Sequence, residues 1–479
     1  MAEDNWYSNG NNNWNATNAW NTQADGGGTA LSDPDADAHV IIQGNDTITV
    51  TAAIGNTIKS LTIDSGSDLD GHASHIIETT AEGTASFGSE HYAVKINGTT
   101  DSNVNLTVGG TFDTRLDLDG TMGNLILKGS GEKEFRGTPT IGGNVTIQDS
   151  CDATCAGAVQ INGNLTITSG SYDTTGSNHA LTVTGDVTID ASGTLTCNSS
   201  AVSVDSITIS ANGTLDAPDA SGSLTLNGTL SAWSFQNNST NFNHNNGTVT
   251  QTNAGHIKSV NANPFYNFIM NSSSSDSHEA SFRASTGTDV VIAAGDVTVT
   301  RGVLRLNTTS DNASMGSLTI GSTGTYQASS GTTTLDGKHA GSGTSFLNSG
   351  TFTHNNGKVK ITYAAASTQL TSAAFYDLEI ATGTVSYIVK LYHGTAVDIY
   401  NNLTLTSGVL DMYVADDLID IHGLTNIASG ARCWYSANSN TNMITHHGLV
   451  TNHGIFYIND GTTVKLNGGL RQLGTLTIS

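Results

Sequence analysis

The chain has 479 residues, with 17 basic against 41 acidic side chains and a formal net charge of −24. Only 12% of the residues are charged, and Gly, Ser, Thr and Asn fill most of the polar remainder. This balance excludes a phosphate-backbone binder, since no run of Lys or Arg exists, and it opposes contact with an anionic membrane.

Residues 1–40 open the chain as a Trp- and Asn-rich segment. Trp6, Tyr7, Trp14 and Trp20 stand close together among Asn and Gly in a chain otherwise poor in aromatics. They read as a packed cap, with a docking surface as the other role. The opening MAEDNWYSNGNNNW has neither the basic n-region nor the apolar h-region of a signal peptide. With Met1 as initiator, synthesis in a cytoplasm without export by the usual route is expected. No window of about eighteen apolar residues marks a membrane span. At 33–39, DPDADAH places Asp33, Asp35 and Asp37 like the opening of a calcium loop. The sixth and twelfth positions hold Ala38 and Gly44 rather than glycine and an acid, so a solvated entry turn is the better reading.

The section 41–241 carries a short repeat: GNVTI, GNLTI, GDVTI, DSITI and GSLTL. Its first apolar residues, Val145, Leu165, Val187, Ile207 and Leu224, are spaced by 20, 22, 20 and 17 residues. The phrase returns at Val297, Leu318, Leu403 and Leu424. A period near 20, with a short alternating strand and Gly/Asn/Asp turns, predicts one coil of an all-β, right-handed parallel β-helix. Alternation assigns the faces. Val145/Ile147, Leu165/Ile167, Val187/Ile189, Ile207/Ile209 and Leu224/Leu226 point into the core, and the middle Thr points out. Asn144, Asn164, Asp186, Ser206 and Ser223, just before each phrase, predict a polar ladder at a corner. Roughly 20 coils at ~4.8 Å each would span of order 100 Å. The stretches 66–92 and 272–293 read as projecting loops.

A second period is longer. FNHNNGTV at 242–249 matches FTHNNGKV at 352–359, and PFYNFIM at 264–270 matches AFYDLEI at 374–380. Then GVLRL at 302–306 matches GVLDM at 408–412. Block A is 242–351, block B is 352–453, and 454–479 is a truncated third copy ending on a bare strand. The duplicated unit of 105–110 residues is about five coils. The repeated His244 and His354 read as turn residues, and Phe265 and Phe375 as core.

Chemistry-bearing clusters are few. Asp411, Asp416, Asp417 and Asp420 would place two carboxylates at a glycosidase separation on a strand face. No basic or aromatic subsite groups lie nearby in sequence, so turn and corner roles are preferred and no catalytic residue is assigned. The His residues lack zinc-site spacing, and no cofactor motif occurs. Cys151 and Cys155, in CDATC, read as small core or turn residues rather than as a disulfide framework; a bridge between them is left open.

The phrases HNNGTV, FYNFIM/FYDLEI and GNLTI, with the Trp-rich head NWNATNAWNT, resemble the repeats of Gly/Asn/Thr-rich β-helix proteins. These occur among virion structural proteins of tailed phages and among filamentous-haemagglutinin-type adhesins. The resemblance implies a non-enzymatic structural protein of the virion surface: a fibre, spike or capsid decoration. Its implied partners are other virion proteins, host-surface glycans and further copies of itself, a trimer among the options, with no nucleic acid and no membrane. A cell-surface adhesin, S-layer or filament protein is the alternative reading, and a polysaccharide-degrading β-helix enzyme is the third.

Overall fold

Short strands with apolar residues at every second position cannot bury their apolar face alone. They can do so by stacking on copies of themselves. The computed structural model describes residues 4–80, 92–119, 121–228, 233–258, 264–283, 289–306, 310–371, 373–393, 397–414, 418–435, 443–459 and 462–478. All regular structure among them is β, with no helix, and the chain winds as a parallel β-solenoid of about 18 turns of about 22 residues. It divides into two compact units, Met1–Asn227 with Gln236–Gly247, and Gly228–Phe235 with Thr248–Ser479.

In the first unit each coil contributes three strands, so three parallel walls enclose the core. One wall runs through Leu125–Leu127, Val145–Ile147 and the starts of Leu165–Asp173 and beyond, with Val145 on Leu165, Leu165 on Val187 and Val187 on Ile207. Val145, Ile147, Leu165, Ile167, Val187, Ile189, Ile207 and Ile209 are all fully buried. Thr146, Thr166, Thr188 and Thr208 stack on the outer face.

Leu224 does not continue this wall. Ser223–Leu226 pairs with Ala201–Ile209 through Leu224 on Val202, which places it on the wall of Val159 and Leu181. The shorter spacing of 17 residues marks a change of wall, not a short coil.

The corner before the Val145 wall is a polar ladder. The Asn105 side-chain carbonyl accepts the Asn124 backbone N–H at 3.0 Å, Asn124 accepts from Asn144 at 2.8 Å, and Asn144 accepts from Asn164 at 2.8 Å. Asn164 then accepts from Asp186 at 2.9 Å, and the Ser206 hydroxyl donates to the Asp186 carboxylate at 2.6 Å. Ser223, on the other wall, is not part of it. Glycine precedes the ladder because a Cβ at Gly163 or Gly185 would collide with the Asn side chain and glycine carbonyl of the coil below.

At the start of the first unit the strand Asp4–Ser8 pairs parallel with Ala38–Ile42 and antiparallel with Trp20–Asn21. That strand in turn pairs antiparallel with Ala30–Leu31. The first coil edge is thus covered by folded-back chain. Trp6, Trp14 and Trp20 are buried; Trp14 and Trp20 meet edge to face at 5.0 Å, and the Trp20 indole donates to the Trp14 carbonyl.

The second unit repeats the three-walled plan. The stretch 272–293, expected to project, supplies Glu279–Phe282 and Val290–Val291 to two walls, because Ala280, Phe282 and Val290 alternate inward. Likewise 66–92 contains the wall strands Asp68–Asp70 and Ile76–Thr79, while 81–91 lies outside the described residues. Leu424 also departs from its expected place. Leu403 pairs with Thr425, so Thr425 and Ile427 turn inward and Leu424 is 48% exposed.

The two repeat blocks are related by four turns and two further walls. From Thr248–Gln251 the same wall continues through Asn267–Asn271, Asp296–Leu306, Ser317–Gln327 and Thr344–Asn348. The matching strand, Lys358–Ile361, lies two walls later, after Thr351–Thr353. Equivalent residues therefore sit on different walls, and the duplicated length is not a whole number of coils.

All four cysteines are buried and unbridged. Cys151 and Cys155 point inward from one strand, and burial pushes both thiols up to about 11. A thiol reagent at pH 8 is expected to label none of them in the folded protein and all four in denaturant; fast labelling of Cys151 or Cys155 in the native state would contradict this packing. Ile167→Ala is expected to cost about 2–5 kcal/mol in denaturant unfolding, against less than about 0.5 for Thr166→Ala. Equal effects would contradict the assigned faces.

Candidate functional site

The two HNNG corners are built alike. His244 and His354 each accept the backbone N–H two residues on, at Asn246 and Asn356, through Nδ1 at 2.9 and 3.0 Å. The backbone at Asn245, Asn246, Asn355 and Asn356 is left-handed, with φ between 46 and 61°. Asn-Asn is the central pair of a two-residue turn with both φ positive, a conformation that Asn tolerates better than most residues. Asn245 donates to the Ala217 carbonyl at 2.8 Å, and Asn355 donates to that of Ala328 at 2.7 Å. Burial holds both imidazoles below their ordinary pKa.

Phe265 and Phe375 are fully buried. Phe265 joins Phe235, Phe268 and Phe282 in one aromatic cluster. Phe375 joins Phe346 and Phe352 in another.

In the second unit a surface groove of about 680 Å³ opens beside the second HNNG corner. Arg305 and Gln327 stand in register on consecutive coils along one bank, with the Arg305 guanidinium 2.6 Å from Glu279. Phe352, His354, Asn355, Ala374 and Tyr400 are also among the lining residues. Tyr400 is 47% exposed. Its ring lies 5.4 Å from His354 and 5.8 Å from His422, which stacks on His447 at 5.0 Å and 3°. The groove follows from an interruption in a wall. The ladder through Val303–Leu306 and Thr325–Gln327 ends on Thr351–Thr353 among the described residues, and the next, through Val397–Ile399, begins at Ala374–Phe375.

The carboxylate cluster is not gathered by the fold. Asp411 is buried on Val409–Val414 and Asp420 faces out from Leu418–Ile421, on a different wall and 3.5 Å from His447. Asp416 and Asp417 lie outside the described residues. In the entry turn, Asp35 accepts the backbone N–H of Asp37 at 3.0 Å, Asp37 lies 3.4 Å from Lys59, and burial raises the Asp33 pKa. Among the described residues no three His, Cys, Asp or Glu side chains are grouped to hold a metal ion.

Two interior features escaped sequence reading. Lys133 is fully buried; its ammonium donates to the carbonyls of Phe112 and Gly131 at 3.1 and 3.0 Å, and burial lowers its pKa. The EKEFR alternation put Lys133 on the Phe135 face, which was the available signal. His446, also fully buried, has Nδ1 2.8 Å from the Thr425 hydroxyl and Nε2 2.6 Å from that of Tyr435. A neutral imidazole offers one donor and one acceptor, which the two hydroxyls complement.

No protein-family model matches the chain, and no curated protein or solved structure matches it.

Burial, with His447 adding to it, pushes the His446 pKa down to about 4. The unfolded chain binds this proton near pH ~6.5, more tightly than the folded one. The His446 contribution is therefore intact above that pH, declines as pH falls, and levels off below about 4. The whole change is about 3 kcal/mol. Urea midpoints taken between pH 7 and 4 are expected to fall, and His446→Gln is expected to flatten the decline. An unchanged slope in the variant would contradict the buried neutral imidazole.

Proposed function

We propose that the protein is a non-enzymatic structural component exposed on the surface of a tailed-phage virion, as a fibre, spike or capsid decoration, with a role in particle architecture or host-surface attachment. The observation that carries this reading is the in-register stacking of like residues on the outer walls. Thr146, Thr166, Thr188 and Thr208 form one rank, and the Asn105-to-Ser206 ladder forms a corner. What they present outward is a repeating, hydroxyl- and amide-rich surface. The net charge of −24 favours solubility and weak non-specific association for a repetitive surface of this kind. The resemblance of the HNNG and GNLTI phrases to virion β-helix repeats supports the same reading. Self-association into a homo-oligomer belongs to the proposal.

Mass spectrometry of gradient-purified virions and of host cell envelopes is the test. The protein is expected among the virion proteins, with antibody labelling on intact particles. Recovery from envelopes alone would replace this reading with that of a cell-surface adhesin or filament protein.

A further inference from the structure

The groove beside the second HNNG corner has the size of a small-ligand site and is lined in a particular way. About 680 Å³ falls within the range of clefts that enclose drug-sized ligands. The residues that matter are Arg305, Gln327, Phe352, His354, Asn355 and Tyr400. Three bring aromatic rings, and three bring a guanidinium or amide on a side chain that reaches a surface opening.

We propose that this groove binds a short neutral oligosaccharide, of about two or three sugar rings. A pyranose ring has an apolar C–H face and a rim of hydroxyls. The first suits an exposed phenol ring such as Tyr400, and the second suits amide donors and acceptors spaced along a bank. Gln327 provides such an amide, and Asn355, whose Nδ2 donates to the Ala328 carbonyl, provides a second through its amide oxygen.

Charge selects among saccharides. Among the described lining residues the one cation, Arg305, already faces Glu279 at 2.6 Å, so they offer an acidic sugar no unbalanced positive charge. A chain of net charge −24 adds a repulsive background for polyanions.

The site is also held in place before any ligand arrives. The His354 turn is fixed by the Asn356 N–H at 3.0 Å and by the Asn355 amide on the Ala328 carbonyl. The His354 ring is stacked on Tyr376 at 5.6 Å and packed against Tyr400 at 5.4 Å. A lining locked by its own packing loses little freedom on binding, which favours recognition of a weakly hydrophobic ligand. The biological setting of this inference, contact with a host glycan, rests on the surface-protein reading; the binding itself does not.

The test uses the purified full chain on a printed panel of neutral and acidic oligosaccharides, followed by calorimetric titration of the best neutral trisaccharide. Binding to neutral members is expected. Tyr400→Ala and Gln327→Ala are each expected to weaken it at least about tenfold, an effect of about 1.4 kcal/mol. Their thermal melts should stay near that of the parent, and Thr166→Ala, on the outer wall of the first unit, should leave binding unchanged. If Tyr400→Ala does not fold, Gln327→Ala decides alone.

No binding to any neutral member, binding confined to acidic sugars, or binding indifferent to Gln327→Ala would each overturn the proposal. Binding on the panel with recovery from envelopes only would keep this site and discard the virion. Recovery in virions without binding would do the reverse.

Discussion

The interaction on which everything else depends is the parallel backbone ladder between successive coils. Each strand gives its N–H and C=O groups to the coils on either side, so no strand is satisfied until its neighbours are in place. Parallel in-register stacking sets like residue over like. An apolar residue then meets apolar residues and an outward Thr meets Thr. An Asn at a corner finds the backbone N–H of the next Asn at 2.8 Å. The same rule makes the glycines before Asn144, Asn164 and Asp186 necessary, because stacked corners leave no room for a Cβ. Two buried polar residues find their partners on neighbouring coils: carbonyls for Lys133, hydroxyls for His446.

The long repeat shows what the ladder tolerates. Within the second unit, Lys358–Ile361 follows its counterpart Thr248–Gln251 by four turns and two walls, so the two equivalent strands lie on different walls. This is possible because each wall asks only for inward apolar alternation, which a strand satisfies on any of the three. In block B the wall of Thr351–Thr353 is interrupted before Ala374–Phe375 among the described residues, and a groove lined in part by Arg305, Gln327 and Tyr400 opens there.

Much of the fold was legible where one strand pattern repeats on one wall. Val145, Leu165, Val187 and Ile207 carry both the period and the face, and Asn144 and Asn164 announce the corner. Reading failed where a similar phrase changes wall. Leu224 lies over Val202 and not over Ile207, and Leu424 points outward because Thr425 takes the inward place beneath His446. A five-residue phrase encodes alternation but not which wall receives it; the connection lengths around the coil decide that. The Ser-rich stretch 272–293 was misread for a related reason, since Ala280 and Phe282 are too sparse to outweigh turn composition. The groove had no sequence signal beyond the HNNG corner at its edge. Arg305, Gln327, His354 and Tyr400 come from different coils and meet only through stacking.

Residues one coil apart lie directly over one another on a common wall. Spin labels at Thr166→Cys and Thr188→Cys test it directly, with Thr166→Cys and Thr182→Cys as the control pair on separate walls. The first pair should show strong short-range coupling, as expected for strands ~4.8 Å apart, and the control pair should not. Equal coupling in both pairs, or none between positions 166 and 188, would contradict the solenoid register on which the account stands.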